Sequence, residues 1–278
     1  MCNMSEYGKR KDMRSEVYNI DCMEYMRTLP DKTFQLAIAD PPYGINAPNM
    51  KMGENKGYVS TATKCKKGRL NSGGGKLKNR VLNQSDCSWD CEPPKQEFFD
   101  ELFRVCENVI IWGGNYFQLP PTRCIVCWDK EQPLENFSQV ELAWTSFDMP
   151  AKMFRKGSRG GSVPAMRTVE KIHPTQKPVE LYAYLLRVFA KPGDSIFDPM
   201  MGSQSSRIAA YMMGFDYVGC ELDADYFTKG CERFNRECKG IYVSPNGRRY
   251  RQLSLFELPS ESRFGEAKEA EEADKSKT

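Results

Sequence analysis

A chain of 278 residues, 40% apolar and 28% charged, can bury one full α/β core with tails, and its composition is that of a soluble globular protein. No apolar run approaches the roughly 20 residues of a membrane-spanning helix. The first residues carry no apolar signal core, so a cytoplasmic protein is expected. The formal net charge is only +3, but it is unevenly spread: nine Lys and Arg fall between Lys51 and Arg80, opposed by Glu54 alone.

Eleven cysteines, an odd number scattered through predicted strands, helices and loops, point to reduced thiols. Cys124 and Cys127 have CxxC spacing but fall inside a predicted strand. Cys87 and Cys91 are followed by no second pair with zinc-ribbon spacing, and no metal is expected. His173 is the single histidine, so chemistry that needs a histidine dyad has no candidate.

In chain order, residues 1–14 read as a flexible polar tail, followed by one catalytic domain over 15–257. A short strand is expected over 17–20 and a helix over 23–29, after Asp21. Residues 34–39 form a short apolar run typical of a buried strand. It stops at Asp40-Pro41-Pro42-Tyr43. Pro42 restricts Pro41 to an extended conformation, and neither proline has an N–H to donate, so the carbonyls there are not consumed by a helix. An acid, a free carbonyl and an aromatic ring are thereby fixed at the C-terminal edge of a strand, where open α/β sheets bind ligands. The set suits a planar base with an amino group: Tyr43 to stack, the Asp40 carboxylate and Pro41 carbonyl to accept. A plain strand-ending turn is the alternative.

Residues 44–94 are rich in Gly, Lys, Asn and Ser and show no sustained period; a basic, mobile DNA-contacting loop is expected. A helical face appears over 98–106, then strands over 108–112, 124–128 and 140–144. Strand, helix, strand implies a parallel sheet covered by helices. Residues 148–172 are again irregular and basic, a second candidate for DNA recognition. Pro178 opens a helix that runs to about 189. A strand over 195–198, a turn over 199–203, a helix ended by Gly214, a strand over 217–221 and a helix from Asp223 to about 238 follow. Residues 241–257 finish the domain with a strand and edge segment, and 258–278 read as a disordered charged tail.

The second half therefore places an acid, a turn of small residues, a helix, a strand and a second acid in succession. Glu221, ending its strand, is placed to accept both hydroxyls of a ribose. Neither G-x-G-x-x-G nor a Walker lysine is present, so a pyrophosphate cradle is missing. A ribose clamp without a phosphate cradle fits S-adenosylmethionine better than a nicotinamide cofactor or ATP.

Three motifs carry a family resemblance over roughly residues 15–240. Asp40-Pro41-Pro42-Tyr43 resembles the signature of amino-methylating DNA methyltransferases. His173-Pro174-Thr175-Gln176-Lys177-Pro178 resembles the motif that precedes the cofactor motif, and Asp198-Pro199-Met200-Met201-Gly202-Ser203-Gln204-Ser205 resembles the D-P-F-x-G-S-G-T cofactor motif. Their order is that of the beta-class DNA adenine-N6 methyltransferases. The resemblance implies an α/β, Rossmann-like S-adenosylmethionine-dependent methyltransferase fold, with a mostly parallel central sheet, helices on both faces and a circularly permuted motif order. It implies transfer of the methyl group to N6 of a flipped-out adenine in double-stranded DNA. It leaves open a homodimer and a cognate restriction enzyme.

Carried over by position, Asp40, Pro41, Pro42 and Tyr43 are catalytic. Lys177 pairs with the cofactor carboxylate, with Asp40, His173 and Thr175 close by. Asp198 and Gly202 line the methionine part, Pro199 and Ser203 also belong to the cofactor site, and Met200 covers the adenine. Glu221, with Leu222 beside it, holds the ribose, and Asp21, with Cys22 beside it, accepts from the adenine amino group. Asp21 and Glu221 have helix capping as their plain alternative, and Lys177 a surface charge. Two departures stand out: Met200 replaces a Phe and Gln204 a Gly. The rival functions are cytosine-N4 methylation, methylation of RNA or of a protein glutamine, and a DNA-binding protein with a decayed site, which Gln204 alone supports.

Overall fold

The structure is a computed structural model; it describes residues 13–45, 90–131, 138–156, 172–243 and 248–251. The expected segment 44–94 lies largely outside the described residues, as do 157–171 of the second basic segment, both charged tails and Cys87.

An eight-stranded sheet runs through the centre. Its strands are β1 (Ser15–Tyr18), β2 (Phe34–Ala39), β3 (Cys106–Trp112), β4 (Ile125–Asp129), β5 (Val140–Thr145), β6 (Lys152–Arg155), β7 (Ser195–Asp198) and β8 (Asp216–Cys220), in the order β1-β8-β7-β2-β3-β5-β4-β6. Only β5 runs antiparallel to its neighbours. The chain between β4 and β5, residues 130–139, is shorter than the dozen or more residues a parallel crossover takes, so the two strands pair as a hairpin. A separate antiparallel pair, β9 (Ile241–Val243) and β10 (Arg249–Arg251), stands where a strand and edge segment were expected.

Five α-helices, α1 (Cys22–Arg27), α2 (Gln96–Val105), α3 (Val179–Phe189), α4 (Ser205–Met213) and α5 (Ala224–Lys239), and one 3-10 turn, Gly114–Tyr116, complete the described elements. The α-helices cover both faces. Alternation along the central strands sends Leu36, Ile38, Ile110 and Trp112 to one face, under α3 and α4. Ala37, Ala39, Val109 and Ile111 go to the other, under α1 and α2. The α/β class and the mostly parallel sheet are as the sequence indicates.

Two boundaries differ. The first strand is 15–18 rather than 17–20, because its register is set by β8: Ser15 pairs with Tyr217 and Tyr18 with Cys220. The Asn19 side chain then bonds the carbonyls of Glu221 and Leu222. Residues 152–155, expected to be irregular, form edge strand β6 parallel to β4. Its pairing is set by Phe154 packing on Tyr184 of α3, with ring centroids 5.1 Å apart, a contact between distant segments.

The crossovers give the sheet a switch point. From β2 the chain crosses through α2 to β3 on one side; from the adjacent β7 it crosses through α4 to β8 on the other. The crevice at the C-terminal ends of β2 and β7 is where such sheets bind ligands. Beneath it Phe34 and Phe197 stack, centroids 4.7 Å apart and planes 5° from parallel, both buried. Phe197→Ala is expected to cost about 3–5 kcal/mol, read as a lowered urea midpoint at unchanged slope.

Candidate active site

Residues 40–43 continue β2 beyond its last ladder bond, as the two prolines require. The Tyr43 and Gly44 backbone N–H groups both donate to Asp90 Oδ1, at 2.7 and 2.9 Å, which pins the exit of the segment. Gly113, at φ +71°, lies so close that a Cβ there would stand 2.3 Å from the Tyr43 ring. One face of that ring is already taken: Tyr116, from the single 3-10 turn Gly114–Tyr116, stacks on it at 4.9 Å. The Tyr43 hydroxyl donates to Asp40 Oδ1 at 2.9 Å.

Lys177 is 3% exposed, and its ammonium lies 2.5 Å from the same Oδ1 of Asp40. It also donates to the Tyr43 hydroxyl at 3.3 Å. Glu141 of β5 faces it with Oε2 at 3.3 Å, while Glu141 Oε1 pairs with Lys130. Five residues thus form one chain of charge and hydroxyl: Lys130, Glu141, Lys177, Asp40, Tyr43. Burial pushes the Asp40 carboxyl above its ordinary value, and Lys177 pulls it only part of the way back. Burial acts on Glu141 in the same sense, but Lys177 and Lys130 outweigh it and hold that carboxyl below its usual range. For Lys177 burial is outweighed by Asp40 and Glu141, so the ammonium is held charged. Lys177 is therefore no surface charge; in this structure its partners are protein carboxylates.

The other predicted residues line the same edge. Asp198 is the last residue of β7; its carboxylate accepts from the Met200 N–H and the Ser206 hydroxyl, and burial pushes it up to about 7. Glu221 follows β8. It accepts from the Gly202 N–H at 2.8 Å and the Asp223 N–H at 2.9 Å, and burial pushes it up to about 7. Gly202 has φ +47°, and a Cβ added there would stand 3.5 Å from the His173 ring. His173 in turn packs edge-on against Tyr226, and its Nδ1 is 3.1 Å from the Thr175 hydroxyl. Met200 packs on the core beneath. The Ser203 hydroxyl meets that of Ser205, which donates to the Lys177 carbonyl at 2.8 Å and ties the 173–178 segment to α4. Asp21 caps α1, accepting from the Met23 N–H at 2.7 Å, with buried Cys22 next to it. Leu222 is 70% exposed.

Gln204 is buried in the left-handed region, φ 59°, where the resembled motif has Gly. That conformation costs a non-glycine residue roughly 1–2 kcal/mol. The side chain turns toward α5, not the crevice: its amide N donates to the Phe227 carbonyl and its Oε1 accepts from Arg207 at 2.9 Å. Gly230 makes room for it, since a Cβ there would lie 2.7 Å from the amide. Gln204 thus packs two helices together and gives no sign of a decayed site.

Glu141, Lys130, Asp90 and Tyr116 were not anticipated. One signal was available for Glu141, an acid inside the otherwise apolar strand 140–144. The other three meet the site only through long-range packing. Among the described residues no group of three or more His, Cys, Asp or Glu is placed to hold a metal, and no helix is long and apolar enough to cross a membrane.

The doubly wound sheet and its acid-lined crevice define a Rossmann-like α/β fold with its candidate site at the switch point. The donor set suits an adenosyl ligand: carboxylates at 198 and 221 serve hydroxyl and ammonium groups, not phosphates. Residues 111–231 match the N6/N4 DNA methylase family model. The chain is 22% identical to the type II methyltransferase M2.MboI of Moraxella bovis, over 82% of this chain and 90% of the relative. It is also 22% identical to the type II methyltransferase M.HinfI of Haemophilus influenzae, over 88% and 73%. Similar solved structures include an M1.HpyAVI–SAM complex, at 17% identity, TM-score 0.45, and 78% and 98% coverage of the two chains. The cytosine-N4-specific PvuII DNA methyltransferase matches at 13% identity, TM-score 0.45, and 87% and 100% coverage.

Gln204→Ala keeps the left-handed backbone but strips the buried Arg207 guanidinium of an acceptor. A loss of about 1–3 kcal/mol in urea unfolding is expected, with S-adenosylmethionine affinity by calorimetry changed less than about threefold, because the side chain leaves the crevice.

Proposed function

We propose that this protein is a site-specific DNA methyltransferase acting on adenine N6 of a flipped-out base. The observation that carries the reading is the asymmetry of the Asp40 carboxylate. Lys177 and the Tyr43 hydroxyl both bond Oδ1, so Oδ2 makes neither contact and is the acceptor left for an exocyclic amino group. The Pro41 carbonyl accepts the second hydrogen. S-adenosylmethionine, when bound, supplies an electrophilic methyl on a sulfonium.

The amino lone pair of adenine is delocalised into the ring and is a poor nucleophile. Hydrogen bonds from its two hydrogens to Asp40 and Pro41 favour a more tetrahedral nitrogen and disperse the positive charge that develops in attack. They are fixed in advance by β2 and the two prolines, which is electrostatic stabilisation aimed at the transition state. A base inside the duplex cannot reach this edge, so it must leave the stack. Asp at position 40 favours adenine over cytosine in the resembled family. Glu221 is assigned to the ribose, Asp198 and the 199–203 turn to the methionine part, Lys177 to the carboxylate and Asp21 to the adenine amino group. The basic stretch from Lys51 to Arg80 supplies phosphate contacts.

The decisive experiment incubates the protein with unmethylated DNA and methyl-deuterated S-adenosylmethionine and analyses the nucleosides by mass spectrometry. Labelled N6-methyladenine is expected; labelled N4-methylcytosine overturns the base assignment, and no label on DNA overturns the reaction. Asp40→Ala is expected to lower transfer at least about 100-fold while calorimetry shows the cofactor still bound, since Lys177 retains Glu141.

Ribose hydroxyls donate to an ionised Glu221, and its carboxyl titrates at about 7. Cofactor affinity is therefore expected to rise with pH through about 7, falling roughly tenfold per unit below it, and Glu221→Gln is expected to flatten that dependence. Stability runs the other way. Asp198 and Glu221 have raised values in the fold, so the folded chain holds more protons than the unfolded one up to about 7. Their contribution to stability is lost as pH rises through that window.

A further inference from the structure

We propose that Glu141 is a positioning residue of this site: with Lys130 behind it, it anchors the Lys177 ammonium so that Asp40 keeps one carboxylate oxygen free for the target amino group. The inference rests on the methyl-transfer reading for its purpose, and on geometry for its content.

Glu141 sits in β5 among Val140, Leu142, Ala143 and Trp144, on a strand hydrogen-bonded on both sides. Each of its oxygens lies within ion-pair distance of a different ammonium, Lys130 on Oε1 and Lys177 at 3.3 Å from Oε2, and Oε2 is buried with no hydrogen-bond partner, so its charge is answered by Lys177 alone. The Lys177 ammonium also lies 5.3 Å from the centre of the Trp112 ring and 5.7 Å from that of Tyr43, so two aromatic rings flank it beside the carboxylates.

A buried lysine facing one acid alone tends to close onto it. Desolvation disfavours both charges, and the pair drifts toward a shared proton. Asp40 would then be occupied as an acceptor. A second carboxylate on the far side divides the ammonium between two partners and keeps it protonated. Lys130 in turn keeps that second carboxylate ionised. The arrangement is a poor choice for stability alone, since buried ion pairs are often replaced by apolar groups at no loss.

The groups recorded against the Lys177 ammonium are Asp40 and Tyr43 after β2, Trp112 from β3 and Glu141 from β5, with Lys130 on the other oxygen of Glu141 and Tyr182 of α3 close enough to feel Asp40 and Glu141. Burial holds the Tyr182 and Tyr43 phenols well above their ordinary values, so neither supplies negative charge near neutrality. The anions facing Lys177 are Asp40 and Glu141.

The test uses the full chain, as Glu141→Gln and Glu141→Asp, with two readouts. Carbon-13 labelling of lysine Cε, with Lys177 assigned from the spectrum of Lys177→Arg, gives the Lys177 titration directly. Its midpoint is expected to fall by at least about one pH unit in Glu141→Gln and by less in Glu141→Asp. The pH profile of methyl transfer gives the consequence: kcat about tenfold lower in Glu141→Gln, its alkaline limb moved to lower pH, and part of the rate recovered in Glu141→Asp. An unmoved Lys177 titration, or an unchanged kcat with an unmoved limb, overturns the proposal. So does a loss of thermal stability alone. Should Glu141→Gln fail to fold, Glu141→Asp decides by its titration. If the wild-type chain transfers no methyl group, the functional reading fails, and the titration still decides whether Glu141 anchors Lys177.

Discussion

An ammonium taken almost wholly out of water has to be answered by negative charge, and around Lys177 that demand organises the site. Asp40 comes from the end of β2, Glu141 from β5, and Lys177 itself from the segment that opens α3. Three elements distant in sequence are thus brought to one point. The backbone of Lys177 is held by the Ser205 hydroxyl, which donates to its carbonyl and adds the first turn of α4. Few other constraints in the fold join so many parts. The cost of desolvation is returned only if each partner stays in place, so the geometry of the crevice and the ionisation of its acids are one problem.

Much of this was legible in the amino-acid sequence, and for a local reason. Asp40, Asp198 and Glu221 each end a short apolar run and precede a proline, a glycine turn or a helix cap. Strand ends and turns leave marks within a few residues. The doubly wound order follows from the alternation of such units. What was not legible depends on contacts made across the fold. Edge strand β6 exists because Phe154 finds Tyr184 and the 152–155 backbone finds β4. Tyr116 reaches Tyr43 only once Gly113 allows the two segments to touch. Glu141 left a trace, an acid in an apolar strand, but its two lysines are visible only in three dimensions.

Gln204 shows how a departure from a motif can mislead. In the sequence it stands where the resembled motif has glycine, in a turn assigned to the cofactor, and it reads as damage. In the structure the backbone keeps the left-handed shape that glycine would adopt, and the side chain leaves on the opposite side. Its amide joins Arg207 and the α5 backbone, and Arg207 in turn lies over the Phe234 ring at 3.8 Å. The substitution and Gly230 make sense together: bulk gained at one position is matched by bulk absent at the other.

The single reversed strand has a further consequence. Because β5 runs against its neighbours, it starts at the edge where the parallel strands finish. Asp129 and Val140, the two ends of the 130–139 connection, therefore stand on the same edge as Asp40. The chain also leaves that edge after Tyr43, to return at Asp90, and after Arg155, to return before His173. Among the described residues, the ends of three stretches of unlike length and composition stand around one crevice. Such a layout separates two evolutionary tasks. The ladder and the buried charges can be held constant for chemistry, while the rooted stretches are lengthened, shortened or rewritten without disturbing a single strand pairing.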